Sequence, residues 1–368
     1  MMPSALAVAG GLLTALATLY ALAALLCRPR TRTDPPARLP VTVFKPLCGA
    51  EPRLEENLAT LCTQTHPCYQ VVCGVCAPDD PAIAVVDRMH RRYPALDLRL
   101  VVDPRIHGSN RKVSNLVNMA AAARHPWLVL ADSDIAVAPD YLERVTAPLA
   151  DPAVGIVTCL YRGRATGGFW TRLGALFIDT WFAPSVAVAS CGGGSAFGFG
   201  ATIALRADVL RAIGGFDALK DRLADDFWLG ELTRRRGLAT VLSDVVVTTD
   251  VTEERLADLW RRERRWMRTI RSLNPFGYAF CFVTITLPML ALGLVLAPAA
   301  WNWALAVPGL VARLALQRRA APDSALLLAP LRDILLLFEW LGGFVGATTS
   351  WRGHRLHVHP PATGRSPP

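Results

Sequence analysis

Trp127-Leu128-Val129-Leu130-Ala131-Asp132-Ser133-Asp134-Ile135-Ala136-Val137 is an apolar run that ends in two carboxylates one residue apart. A short unbroken apolar run reads as a strand of a parallel sheet, buried on both faces. Open α/β sheets bind ligands beyond the carboxyl ends of such strands, so Asp132 and Asp134 stand where a ligand is expected. Two acids there suit a hard cation, Mg2+ or Mn2+, which takes one or two carboxylates and completes its shell with water and substrate phosphates. Asp-x-Asp is also common as a helix cap or a turn, so the surroundings have to decide.

Upstream, strands alternate with helices. Pro40 to Pro46, Tyr69 to Val75 and Leu98 to Val102 read as strands, and Leu54 to Cys62 and Asn110 to Arg124 as helices. Ile83, Val86, Met89 and Tyr93 have helical spacing after Asp79-Asp80-Pro81. This alternation predicts an α/β domain with a parallel, Rossmann-like sheet, and it sets Asp80, Asp132 and Asp134 along one edge at strand carboxyl ends. Downstream come a strand over Val154 to Leu160 and an aromatic-rich helix over Phe169 to Phe182, suited to a core or to a membrane interface. A glycine-dense segment, Gly192 to Gly200, permits close approach of backbone to a ligand or a mobile loop, and lacks a phosphate-loop pattern. Asp225 and Asp226 open a helix, where acids are also favoured by the dipole. Leu238 to Leu242 and Val245 to Thr249 read as two short strands. Thr252 to Ser272 is a basic helix carrying Arg261, Arg262, Arg264, Arg265 and Trp266, suited to a membrane surface or an anion.

The composition calls for a membrane part: 52% of the 368 residues are hydrophobic, and mean hydropathy is +0.31. Pro3 to Cys27 carries no charge and is followed by Arg28, Arg30, Arg32 and Arg38. A basic flank after the apolar core, not before it, marks an anchor with a cytoplasmic carboxyl side and argues against a cleaved signal peptide. Ser272 to Ala312 is again uncharged, long enough for two tight spans turning near Pro298 or for one span and a re-entrant segment. Ile334 to Trp351 is interrupted only by Glu339, a functional candidate inside an apolar run. The expected division is an anchor (1–27), a basic linker (28–39), a cytoplasmic domain (40–250), an interfacial helix (251–272), transmembrane or re-entrant segments (273–351) and a disordered tail (352–368) carrying Arg352 and Arg355. The net charge of +9 fits membrane topology, and no nucleic-acid reader motif appears, so no nucleic-acid partner is expected. Only three of the 39 basic residues are lysines, as in GC-rich bacterial coding sequence. Nine scattered cysteines suit a reducing compartment, and Cys73 and Cys76, three apart in a strand, read as packing.

In order along the chain stand Lys45-Pro46-Leu47, Asp80-Pro81-Ala82-Ile83, Asn110-Arg111-Lys112-Val113-Ser114-Asn115-Leu116, Asp132-Ser133-Asp134-Ile135, Ala224-Asp225-Asp226 and Arg262-x-x-Arg265-Trp266. Over roughly residues 1 to 300 this series resembles the ceramide glucosyltransferase family of inverting glycosyltransferases. Val41 to Pro52, Tyr161 to Arg164 and Phe199 to Leu205 resemble its bacterial branch associated with hopanoid biosynthesis. Asp225 departs from the family, which often has Glu there.

The resemblance implies a Rossmann-like nucleotide-sugar domain of the A type (GT-A), with transmembrane helices at both ends, on the cytoplasmic face of the bacterial inner membrane. It also implies a UDP-sugar donor and a membrane-lipid acceptor. By the same token Asp80 would meet uracil or ribose, Asp132 the ribose and phosphates, and Lys112 the diphosphate. Asp134, with Asp132, would hold the metal. Asp226 would be the base, Arg262 and Arg265 would steady the leaving diphosphate, and Trp266 would stack on sugar or acceptor or anchor the helix. One carboxylate base acting in a single displacement implies inversion. N-acetylglucosamine transfer from UDP to a hopanoid polyol is the leading expectation. Glucosylation of ceramide or diacylglycerol from UDP-glucose is the alternative within enzymes, and a catalytically silent lipid- or nucleotide-binding membrane protein is the alternative of another class. Oligomeric state is not legible.

Overall fold

In the computed structural model, which describes residues 5–194, 198–346, 348–351 and 354–357, the chain forms two compact units. One comprises 30–162 and 193–250, the other 1–29, 163–192 and 251–368.

The first unit is built on an eight-stranded sheet. Its strands are β1 (Val41–Pro46), β2 (Tyr69–Val75), β3 (Asp97–Val102), β4 (Trp127–Ala131), β5 (Ile135–Ala136), β6 (Val154–Ala165), β7 (Thr202–Arg206) and β8 (Ala239–Val251), in the order β3-β2-β1-β4-β7-β6-β8-β5. Strands β3, β2, β1 and β4 are parallel, as the alternation predicts. Val41, Val43, Val71, Cys73 and Val129 are buried, and with Leu54, Leu58, Leu61, Val85, Val86 and Met89 of the helices Leu54–Cys62 and Ala82–Arg92 they form the core. Cys73 is wholly buried there, where a side chain packs.

Beyond β4, outside the stretch whose alternation predicts parallel strands, the sheet is mixed. Strand β7 enters antiparallel between β4 and β6, and β5 pairs antiparallel with β8. The βα alternation that predicts parallel neighbours lapses here, because the helical stretch between β6 and β7, Phe169–Cys191, belongs to the other unit and is not a crossover helix of this sheet. The two short strands expected over 238–249 are one continuous β8. Its polar interruption, Ser243-Asp244, is satisfied in place: the Arg32 N–H donates to the Leu242 carbonyl at 2.8 Å, and Arg144 pairs with Asp244 at 3.0 Å. Arg32, in the expected linker, also pairs with Asp34 and Asp151, so this part of the linker is docked.

The second unit is helical. Ala5–Leu26 turns a face of small residues (Gly10, Gly11, Thr14, Ala17, Thr18, Ala21, Ala24) inward and leaves Leu6, Leu12, Leu16 and Leu19 exposed. Small residues let helix backbones approach: a side chain at Gly10 would strike Gly293 and Ala297, and one at Gly309 would strike Thr18. Arg319 donates to the carbonyls of Leu25 and Ala24. Helix Ala300–Ala320 therefore runs parallel to Ala5–Leu26, and Thr286–Leu296 runs back against it, which makes the expected turn near Pro298. By length and apolar composition two helices among the described residues can cross a membrane, Ala5–Leu26 and Phe169–Cys191, or three if the pair Pro275–Thr284 and Thr286–Leu296, bent by 75°, is one span.

The aromatic helix extends past Phe182 to Cys191 through a π-helical turn at Ile178–Phe182. The basic helix begins at Leu256, not Thr252. Glu339 lies fully buried against Arg332, which also binds Glu263 at 2.8 Å. Within the stretch expected as a disordered tail, His354–His357 pairs antiparallel with Thr348–Trp351. Arg352 and residues 358–368 lie outside the described residues.

Candidate functional site

The site grows from the carboxyl end of β4. Because β7 is antiparallel to β4, with Ala131 opposite Thr202, the residues leading into β7 lie beside those leaving β4, and the Asp132 N–H donates to the Ala201 carbonyl at 3.3 Å. That register brings Gly200 to the Asp132 side chain. Asp226, in the first turn of helix Asp225–Arg234, accepts a hydrogen bond from the Gly200 N–H at 2.9 Å on one carboxylate oxygen and from the Phe227 N–H at 2.8 Å on the other. A methyl group on Gly200 would lie 3.3 Å from Asp226 Oδ2, 3.4 Å from Asp132 Oδ2 and 3.6 Å from Lys112 Nζ. Asp132, Asp226 and Lys112, far apart in the chain, therefore converge on one point.

Lys112 lies in the first turn of helix Arg111–Ala120, capped by the Asn110 side chain. Its ammonium is 2.6 Å from Asp132 and 3.6 Å from Asp225. Burial favours its neutral form, but Asp132 and Asp225 outweigh burial and raise its pKa overall. Asp225 thus has a separate role from Asp226, since it faces Lys112 and the Asn110 amide. Burial, with repulsion from Asp225, pushes the Asp226 carboxyl up to about 6 against the pull of Lys112. A carboxylate tuned near neutrality suits a general base.

Asp134 follows in the turn to β5. It accepts from the Thr249 hydroxyl at 3.0 Å, and its carbonyl accepts from the Asp250 N–H. Burial first, then Asp132 and Glu51, push it up to about 7, with Thr249 and Lys45 acting the other way. Lys45, at the end of β1, is fully buried and donates to the Asp132 carbonyl, and desolvation lowers its pKa. Clustered, charge-frustrated carboxylates with oxygen donors alone fit a hard divalent cation. Among the described residues no group of three or more His, Cys, Asp or Glu could hold an ion. Asp132 and Asp134 are the two residues that would hold such an ion, the rest of its shell coming from outside the protein.

Asp80 accepts from the Gly49 N–H at 3.0 Å with both oxygens and from the Ala82 N–H at 2.8 Å. It ties the loop after β1, where Gly49 has φ 75°, to the start of helix Ala82–Arg92. Arg262, Arg265 and Trp266 belong to the helical unit. There Arg262 pairs with Glu253 at 3.0 Å and lies over the Trp266 ring, which packs on Phe177 and Phe182. Sequence reasoning assigned no role to Gly200, Lys45 or Thr249. The signals available for the first two were the glycine density before β7 and a lysine at the end of an apolar strand.

The family model described as glycosyl transferase family 21 matches residues 10–363. Ceramide glucosyltransferase 1 of Caenorhabditis elegans is 23% identical over 246 residues, 66% of this chain and 53% of that protein. A ceramide glucosyltransferase of Komagataella phaffii is 29% identical over 149 residues, 39% of this chain and 28% of that protein. The chain thus spans about half or less of the length of these relatives. The mannosyltransferase PcManGT from Pyrobaculum calidifontis, solved with GDP-Man and Mn2+, superimposes with a TM-score of 0.58 at 24% identity, covering 92% of this chain and 98% of that one. The two share a fold.

Proposed function

The chain belongs to glycosyl transferase family 21, and from that premise we propose that it is a membrane-bound enzyme transferring a sugar from a nucleotide-sugar donor to the hydroxyl of a membrane lipid. The observation that carries this reading is the meeting of Asp226, Asp132 and Lys112 at Gly200. Asp226 takes the proton of the acceptor hydroxyl as its oxygen attacks the anomeric carbon, and the bond from that carbon to the diphosphate breaks. Lys112, partnered by two carboxylates, has the charge to turn toward the diphosphate as it leaves. A divalent ion on Asp132 and Asp134 would add positive charge at the same oxygens. Asp80 orders the loop that would meet the nucleoside. The roles of Arg262, Arg265 and Trp266 rest on the motif resemblance. One base and one displacement give inversion.

The helices suit a lipid acceptor, because each buried CH₂ contributes about 0.8 kcal/mol and a long-chain alcohol does not leave the bilayer cheaply. The basic flank after the first helix supports a cytoplasmic sheet unit, and the resemblance to the bacterial branch supports the inner membrane of a bacterium. N-acetylglucosamine from UDP-GlcNAc and a hopanoid polyol are the proposed pair, on the resemblance of Val41–Pro52, Tyr161–Arg164 and Phe199–Leu205 to that branch. A second reading, ceramide with UDP-glucose, has the support of the ceramide glucosyltransferase relatives. The test is to incubate the full chain in membranes with labelled UDP-sugars and each lipid, and to analyse the products by mass spectrometry and anomeric NMR. Transfer to ceramide with none to the hopanoid selects the second reading. Nucleotide binding without transfer to any lipid leaves a silent binding protein.

A further inference from the structure

Gly200 is a glycine for a reason other than backbone conformation. Positive φ explains Gly49, Gly193, Gly214, Gly215, Gly237 and Gly346, and Gly200 is not among them. An L-residue therefore fits its backbone. Nor is it walled in by main chain, unlike Gly198, where a Cβ would lie 2.4 Å from the Asp226 carbonyl oxygen. What a side chain at Gly200 would meet is three charged side-chain ends: Asp226 Oδ2 at 3.3 Å, Asp132 Oδ2 at 3.4 Å and Lys112 Nζ at 3.6 Å. The Gly200 N–H meanwhile holds the Asp226 carboxylate at 2.9 Å.

We propose that Gly200 is a positioning residue, with the missing side chain as the floor of the reaction gap. Its N–H aims the Asp226 carboxylate, and the space it leaves receives the sugar end of the donor at its anomeric carbon. This rests on the reading of Asp226 as base. The neighbouring atoms are the far ends of side chains, which yield by a few tenths of an ångström, so a methyl group there narrows the gap and turns the base without breaking the sheet. UDP carries no sugar and does not need that space. Gly200 therefore governs turnover of nucleotide sugar and not affinity for the nucleotide alone.

In full-length, membrane-reconstituted protein, Gly200→Ala is expected to keep its affinity for UDP within about twofold while kcat for lipid glycosylation falls about 10-fold, less than the roughly 10²-fold of a 1 Å displacement at a reacting centre. Gly200→Ser should fall further, because its hydroxyl competes for Asp226. Turnover of Gly200→Ala within twofold of the parent overturns the assignment, as does a parallel loss of UDP affinity, which would mark a general structural role. A second measurement needs no variant: hydrogen exchange of the peptide containing residues 198–204 should slow on adding the accepted UDP-sugar more than on adding UDP, and equal protection also overturns it. An unmodified chain that transfers no sugar defeats the glycosyltransferase reading itself. An active parent with an equally active Gly200→Ala defeats only the role of Gly200.

Discussion

Replacing Asp226 by Asn separates chemistry from folding. Asn keeps the volume but cannot take a proton. In the folded chain Asp226 accepts two main-chain hydrogen bonds, from Gly200 at 2.9 Å and Phe227 at 2.8 Å. An Asn amide can accept only one of them, and its NH₂ group faces an N–H donor on the other side, a loss of about 1–3 kcal/mol. Against this, burial and Asp225 move the carboxyl from 3.8 to about 6. At 1.36 kcal/mol per unit that is roughly 3 kcal/mol held against the ionised form, and somewhat less after allowing for partial solvent access. A raised carboxyl pKa destabilises the fold once pH exceeds the unfolded value, and Asn removes that penalty. The two effects nearly cancel at pH 8. Asp226→Asn should therefore melt within a few degrees of the parent and bind UDP normally, while kcat falls by on the order of 10² or more. Thermal melting in detergent, calorimetric UDP titration and a single-turnover assay of lipid product measure the three quantities. Parent-like turnover refutes Asp226 as base. Collapse of the melting temperature refutes the balance of terms.

The base must be ionised, so kcat should fall as pH drops through about 6, the value to which Asp226 is raised, and a pH–rate profile lacking that limb would exclude Asp226 as the titrating group. Chelation should abolish turnover and Mg2+ or Mn2+ should restore it, whereas Asp134→Ala should stay inactive on readdition; full activity after chelation removes the metal from the reaction. Arg332→Ala strands Glu263 and Glu339, two glutamates almost wholly buried against it, and should destabilise the helical unit by about 3–5 kcal/mol, read as the loss of thermal stability in detergent.

Much of the organisation could be read from residue order alone. The apolar run ending in Asp132, the helix Leu54–Cys62, the strand Tyr69–Val75 and the amphipathic segment after Asp80 carry local periodicity, and periodicity follows from backbone geometry whatever lies nearby. The long apolar helix after Pro3 and the placing of Asp226 in a helical first turn are likewise local facts.

Pairing between distant segments was decided only by tertiary structure. Thr202–Arg206 is too short to declare its direction, and its insertion antiparallel to β4 is what carries Gly200 to Asp132 and Asp226. Ser243-Asp244 looks like a break until Arg32 and Arg144 satisfy it. Glu339 looks like an isolated acid in an apolar run until Arg332 lies against it. In each case a polar or backbone group is satisfied by a partner remote in the chain. Residue spacing encodes which face of an element is apolar, but the partner that meets that face depends on how the whole chain packs.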